Sequence, residues 1–286
     1  MELDQKIENL VKPISEFFTE IIFVSVSLQN NSLPIVVIWL VFASLFFTLY
    51  FRFINIRAFK RAILVAIGKY DKPNSPGEIT HFQAFTTAMS GTIGLGNIAG
   101  VAVAISIGGP GAMLWMIIMA FFGMTLKFVE VSLGHKYRKI YPDGTVSGGA
   151  IRYLSSGLKE HGFPNLGKFL AAMFAICCIG GSFGGGNMFQ ANQAFQQIII
   201  ASGGENSPFY ERGWLGGLVF AFIVGSIIIG GIKSIGKVTE KLVPIMGGLY
   251  CLACVYIIFS NYSLIPETFH VIFLNAFSAE ATFGGV

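Results

Sequence analysis

Seven neighbouring residues carry the groups in this chain best suited to chemistry: Ser90, Gly91, Thr92, Gly94, Gly96, Asn97 and Gly100. Together they offer one amide oxygen, two hydroxyls and a backbone stripped of Cβ atoms at four positions. Hard oxygens of this kind suit a small cation without its water shell. Free backbone amides at a helix start suit the carboxylate of a small polar solute. The same residues are poor material for bond-breaking. The four histidines (81, 135, 161 and 270) are scattered, no His-Glu-x-x-His pattern occurs, and the only carboxylates within apolar runs are Glu130 and Glu280. The chain is therefore expected not to be an enzyme, and no organic cofactor is implied.

The block sits where a plain helix is expected. Ile79 to Leu126 is 48 residues without Lys, Arg, Asp or Glu. An interior glycine costs a helix about 1 kcal/mol relative to alanine, so glycines crowded around a polar Asn at mid-span predict a deliberate break between Gly91 and Asn97. Further uncharged runs cover Leu33–Phe51, Phe169–Gly204, Gly213–Ile232 and Leu242–Pro266. A membrane crossing takes about 20 mostly apolar residues. Crossings are therefore expected near 33–51, 82–107, 111–135, 168–200, 213–232 and 242–260, with an incomplete seventh at 268–286. Ser278, Glu280, Thr282 and Gly284–Gly285 give that last segment the look of a second broken helix, cut at its break.

Composition agrees with this assignment. Hydrophobic residues make up 53% of the 286 and charged residues 12%, about half the charge of a soluble domain. Positive residues cluster at alternate boundaries: six between Arg52 and Lys72, seven from Lys127 to Lys168, then Lys233, Lys237 and Lys241. The Gly108–Gly111 turn and the Asn261–Glu267 loop hold none, and Gly203–Arg212 holds Arg212 alone. That bias places the basic segments inside and argues against a nucleic-acid-binding face, which would gather its charges on one surface. Residues 1–32, acidic and amphipathic without a cleavable leader pattern, read as an interfacial segment, with a helix over 14–28 lying on the outer surface. Residues 33–286 form the transmembrane domain. Arg57–Ile67 reads as a short surface helix, Asp71–Glu78 as a loop, and 143–168 as a surface or re-entrant helix.

Several other residues qualify as candidates. Gly180–Asn187 interrupts the long run after Lys168, and Gln190, Gln193 and Gln197 then recur at helical spacing. Unsatisfied amides are costly in lipid, so one stripe of this helix faces protein or water. Lys127 and Glu130 share a helix face and are a candidate gate or a structural pair at headgroup level. Gly94-x-Gly96 with Gly100 lacks the strand and the acidic residue of a dinucleotide fingerprint. Gly96-x-x-x-Gly100 alone would fit helix packing, which leaves Asn97 without a reason. The cysteines 177, 178, 251 and 254 read as small packing residues, and no resident metal site is expected.

Against these residues, Gly108–Gly123 (GGPGAMLWMIIMAFFG) resembles the signature of the alanine/glycine:cation symporter family, with Leu114 and Ile117 departing from its usual aromatics. Thr86–Gly100, Lys127–Glu130, Tyr137–Arg138, Gly148–Gly149 and Gly186–Asn192 are similar to that family as well. Ala150–Tyr153 departs from it at a position expected to alter an inner gate. The resemblance implies an all-α polytopic protein of leucine-transporter-like fold. On that fold the chain would carry one extra span and the first inverted repeat, truncated in the following helix. It implies sodium-coupled uptake of alanine, glycine or similar small neutral amino acids across a prokaryotic plasma membrane. The partners would be Na⁺, the amino acid, the lipid bilayer and the missing second repeat. Carried onto this chain, Thr92, Gly94, Gly96 and Asn97 fall at the substrate and ion site, with Na⁺ near Gly91–Asn97, and Gln190 reaches it from the long helix. The other expectation for this polypeptide is a non-transporting scaffold or truncated product.

Overall fold

Runs of Ile, Leu, Val and Phe without charges form helices wherever the backbone groups must bond to one another rather than to water. The computed structural model describes residues 2–28, 31–71, 77–210 and 212–285. Lys72 and most of the Asp71–Glu78 loop lie outside the described residues. Among the described residues, four helical segments are long and apolar enough to cross a membrane: His81–Gly108, Ala112–Lys136, Pro164–Ala201 and Gly231–Ser260. The helices used below are α1 (Glu2–Ile22), α2 (Ile35–Tyr50), α3 (Phe59–Ala66), α4 (His81–Thr92), α5 (Leu95–Gly108) and α6 (Ala112–Lys136). They continue as α7 (Pro164–Phe183), α8 (Phe189–Ala201), α9 (Gly213–Ile228), α10 (Gly231–Ser260), α11 (Ile265–Asn275) and α12 (Ala279–Gly285). The protein is all-α and polytopic, apart from two small antiparallel ribbons among the described residues. One pairs Ser25–Leu28 with Asn31–Pro34, and the other pairs Lys139–Ile140 with Val146–Ser147.

The structure departs from the sequence reading in several places. The helix expected over 14–28 begins at Glu2 and ends at Ile22, and Ser25–Leu28 is strand instead, where β-branched and hydroxyl residues favour an extended chain. The segments near 33–51 and 213–232 form helices of 16 residues each, Ile35–Tyr50 and Gly213–Ile228. The first ends where Arg52 and Phe53 take positive φ values of 51° and 56°. The lysines at 233, 237 and 241 lie not in a loop but in the first turns of α10, which runs unbroken for 30 residues. The terminal segment is interrupted earlier than expected, between Asn275 and Ala279, and Ala279–Gly285 is helical.

The chain packs as two units. The first comprises Met1–Arg57, Val101–Phe128 and Ser263–Val286. Its most buried side chains are small ones, alanines (Ala112, Ala276 and Ala281) and hydroxyl residues, rather than large apolar groups. Ser44, Thr48 and Thr125 are buried, while Phe42, Phe46 and Leu49 stand exposed. Thr48 donates to the Ser44 carbonyl (2.7 Å), and its hydroxyl meets that of Thr125 at 3.0 Å, joining α2 to α6. Asn55 adds a bond to the Phe121 carbonyl at 3.0 Å. Lipid is as apolar as leucine, so helices associate through close packing and hydrogen bonds. The Gly108–Gly111 turn meets the end of the chain in the same way. A methyl on Gly108 would stand 2.8 Å from Gly284 Cα, and one on Gly111 would run into the Asn275 backbone. Trp115 Nε1 donates to the Ala276 carbonyl (2.6 Å), satisfying an oxygen left over where α11 stops.

The second unit comprises Ala58–Gly100 and Val129–Tyr262. Here α4 lies along the first turns of α10. Gln83 Nε2 donates to Glu240 Oε2 (2.9 Å), and the hydroxyls of Thr87 and Thr239 meet at 2.9 Å. Gly236 permits the approach, since a Cβ there would already touch Ile79 and Gln83. The polar connection before α7 is ordered by its own contacts. Glu78 accepts from the Val146 amide, Arg152 donates to the Tyr141 hydroxyl and Ser147, and Tyr137 donates to Glu160. Asp143 accepts from the side chain and amide of Thr145, which together hold its carboxyl below the usual value.

Candidate functional site

The break between α4 and α5 is shorter than the sequence suggests. Gly91 and Thr92 remain helical, Ile93 turns to an extended conformation with ψ 105°, and α5 starts at Leu95. Only Ile93 and Gly94 lie between the two helices, so Gly96 and Asn97 belong to the first turn of α5 rather than to the break. Local hydrogen bonds explain the shift. Ser90 donates to the Thr87 carbonyl, Thr92 donates to the Ala88 carbonyl, and both hydroxyls thereby hold the last turn of α4 together. The Ile93 amide still reaches the Met89 carbonyl (2.7 Å), while the Asn97 amide turns back to Gly94 O (3.1 Å) and opens the next helix. Helix ends leave carbonyls unpartnered on one side and amides on the other. Both sets arise here within a few residues of one another.

At its far end α4 is fixed by a capping box: Thr80 accepts from the Gln83 amide, and the Gln83 side chain accepts from the Thr80 amide. The same Gln83 bonds Glu240, so the start of α4 is anchored twice.

Gln190 is the residue brought to the break from elsewhere in the chain. It is half-buried, and a Cβ on Gly94 would stand 3.3 Å from its Nε2 and 3.7 Å from its Oε1. The amide therefore lies against the bare Cα of Gly94, with one acceptor and two donors to offer. Its placement depends on a feature that the residue pattern does not announce. Gly184–Met188 forms not a gap but a π-helical turn between α7 and α8, in a helical segment running from Pro164 to Ala201. A π turn shifts the phase of the side chains that follow it, and such turns often accompany functional sites. Gln193 is half-buried on the same helix, whereas Asn192, Gln196 and Gln197 are exposed.

The remaining candidates divide clearly. Thr92, Gly96 and Asn97 line the exposed side of the break, and a methyl added to Gly91 or Gly96 would meet no atom within 4 Å. Glycine at 96 is thus not holding a neighbouring helix close. Lys127 and Glu130 lie on α6, both exposed and well along the chain from the break. Ser182 sits at the centre of a Gly-x-Ser-x-Gly spacing (180–184), yet it lies within α7 and donates to the Cys178 carbonyl. A nucleophile on that motif needs a sharp strand-to-helix turn, which this segment does not have. Among the described residues no cluster of three His, Cys, Asp or Glu is placed to hold a metal ion. What the arrangement offers is uncharged: carbonyls, amides, a hydroxyl and two carboxamides around a two-residue interruption.

The pattern of relatives is consistent. The model of the sodium:alanine symporter family matches residues 16–286. The chain is 40% identical over 267 residues to the sodium/alanine symporter AgcS of Methanococcus maripaludis, covering 92% of this chain and 57% of that protein. It is 32% identical over 262 residues to the probable sodium/glutamine symporter GlnT of Bacillus subtilis, covering 91% and 52%. To a sodium/proton-dependent alanine carrier protein of Bacillus sp. strain PS3 it is 33% identical over 225 residues, covering 78% and 46%. The chain spans about half the length of the curated relatives it matches.

Proposed function

The chain belongs to the sodium:alanine symporter family, and on that premise we propose that it forms the substrate-bearing half of a carrier that couples Na⁺ entry to uptake of alanine, glycine or a similar small neutral amino acid. It is a multi-pass membrane protein of a prokaryotic plasma membrane and a transporter rather than an enzyme. The observation that carries the substrate reading is the Ile93–Gly94 interruption with the Gln190 amide set against it.

In this reading Na⁺ takes oxygens from the carbonyls that α4 leaves unpartnered and from the Asn97 carboxamide. The amino-acid carboxylate takes the free amides at the start of α5, where the helix dipole also favours negative charge. Gln190 orients the solute from the opposite side. Ordering the two half-helices around one ion makes the solute bind better, and the solute must favour the ion equally. A coupling of about 1–3 kcal/mol corresponds to about 5- to 150-fold in affinity. We assign the fold to the leucine-transporter-like class, with α4 and α5 as the discontinuous helix of the first repeat and α11 and α12 as its counterpart in an inverted second repeat. The basic segments at 52–72, 127–168 and 233–241 would face the cytoplasm, with 1–32 at the outer surface. One relative is named for glutamine and others for alanine, so neutrality is the common property of the proposed solutes. The residues of the break, Gly91 to Asn97, include no charge to pair with a charged side chain, and an unpaired charge is costly to bury.

Competition for Na⁺-driven uptake tests this. In proteoliposomes of the whole gene product, alanine and glycine should inhibit labelled alanine uptake, while leucine, glutamate and lysine should inhibit poorly. Potent inhibition by glutamate or lysine, or uptake indifferent to a Na⁺ gradient, would overturn the reading.

A further inference from the structure

The helix α3 has a face that the transport reading leaves unused. Phe59, Ile63 and Ile67 recur every four residues, which stacks them on one stripe, and they are 63%, 47% and 65% exposed. Leu64, Val65 and Ala66 are half-buried, and α3 packs against α4. The apolar stripe is therefore not the packed face. Beside it stand three exposed cations, Lys60, Arg61 and Lys69, and from Ala58 to Tyr70 there is no acidic residue. The first acid, Asp71, is already paired with His81. Arg61 also lies over the Tyr70 ring, 6.0 Å from its centroid. The helix ends in a sharp stop: Gly68 takes a φ of +80°, with the Lys69 amide bonded back to the Leu64 carbonyl. That turn keeps Lys69 and Tyr70 beside the helix rather than extending it.

An amphipathic helix with aromatic and aliphatic residues on one side and cations on the other lies in a membrane interface, its apolar face at the acyl boundary and its charges at headgroup level. Here the helix is also tethered there, because the next helix along the chain, α4, opens a membrane-length segment at His81. We propose that residues 58–70 form an in-plane anchor seated in the bilayer surface, and that Lys60, Arg61 and Lys69 bind the phosphate groups of anionic phospholipids. The occupant is lipid of the bilayer that already surrounds the protein. The proposal is independent of what the carrier moves.

The test uses the whole gene product in nanodiscs, with its native cysteines replaced by alanine and Ile63→Cys carrying an environment-sensitive fluorophore. Nitroxide-labelled lipid should quench the label strongly and aqueous iodide weakly. Quenching by nitroxide-labelled phosphatidylglycerol should exceed that by labelled phosphatidylcholine. Each cation near a charged membrane surface is worth about 1 kcal/mol, or about fivefold. Single Lys60→Gln should therefore lower the preference for the anionic lipid about fivefold, and Lys60→Gln/Arg61→Gln/Lys69→Gln should abolish it. A label open to iodide would place the stripe in water and overturn the proposal. A label shielded from both iodide and lipid would mean that protein covers it, with the same consequence. Equal quenching by the two lipids in the otherwise unaltered protein, which needs no charge variant to fold, would remove the anionic-lipid role.

Discussion

Gly94→Ala probes the break with a single methyl. That methyl would stand 3.3 Å from Gln190 Nε2, 3.7 Å from Oε1 and 3.8 Å from Cδ. Favourable separation begins near 3.5 Å, so the amide has to retreat by about 0.2–0.5 Å. It is the far end of a flexible, half-buried side chain, and the strain left after it moves should be under about 1 kcal/mol. Folding and insertion should therefore be close to normal. Function should not be. A hydrogen bond from the amide to a charged partner is worth about 1.5–3 kcal/mol, which is about 10- to 150-fold in affinity. Gln190→Ala should raise the half-saturating alanine concentration by about that factor. Gly94→Ala, which displaces the amide without removing it, should raise it by about 3- to 30-fold. The two effects share one cause, so they should not add. With Gln190→Ala already present, Gly94→Ala should change uptake by less than about twofold. The assay is the initial rate of labelled alanine uptake against alanine and Na⁺ concentration, at matched surface expression. Wild-type half-saturation in Gly94→Ala would refute the reasoning, and so would a Gly94→Ala effect undiminished by Gln190→Ala.

Asn97→Ala should lower Na⁺-dependent uptake by about tenfold or more with normal membrane insertion, and a wild-type rate and sodium dependence would remove Asn97 from the site. Gly111→Ala should lower the thermal midpoint in detergent, because the new methyl meets the Asn275 backbone and backbone cannot swing aside. A cost of about 1–3 kcal/mol or more is expected, and Gly91→Ala, facing open space within α4, should be neutral or stabilising by up to about 1 kcal/mol. Cysteines placed at Lys69 and Lys139 should resist labelling by impermeant reagents from outside the cell, and strong external labelling at either would invert the topology assigned from the positive residues.

Much of this protein was legible in its residues alone. Uncharged runs of membrane length can only become helices in lipid, because every backbone group must bond within its own segment. The crowding of Gly91, Gly94, Gly96 and Gly100 around Asn97 marked where one of those helices had to fail, because glycine and asparagine are poor helix formers placed where good ones cost nothing. What the sequence left open was decided by which hydrogen bonds, local and distant, the folded chain makes. The extent of the break depended on whether the hydroxyls of Ser90 and Thr92 would bond back to their own helix, and they do. The helical continuation of α10 through Lys233, Lys237 and Lys241 reflects its packing on α4 through Glu240 and Thr239, partners more than 150 positions away. Likewise the π turn at Gly184–Met188 is a choice of hydrogen-bond register that glycines permit but do not dictate. It sets which of five nearby carboxamides turns toward Gly94. Periodicity and composition are local properties, and they determined which segments are helical and where one is weak. The direction of a single amide depends on the phase of one helix against another, and only the folded chain fixes that phase.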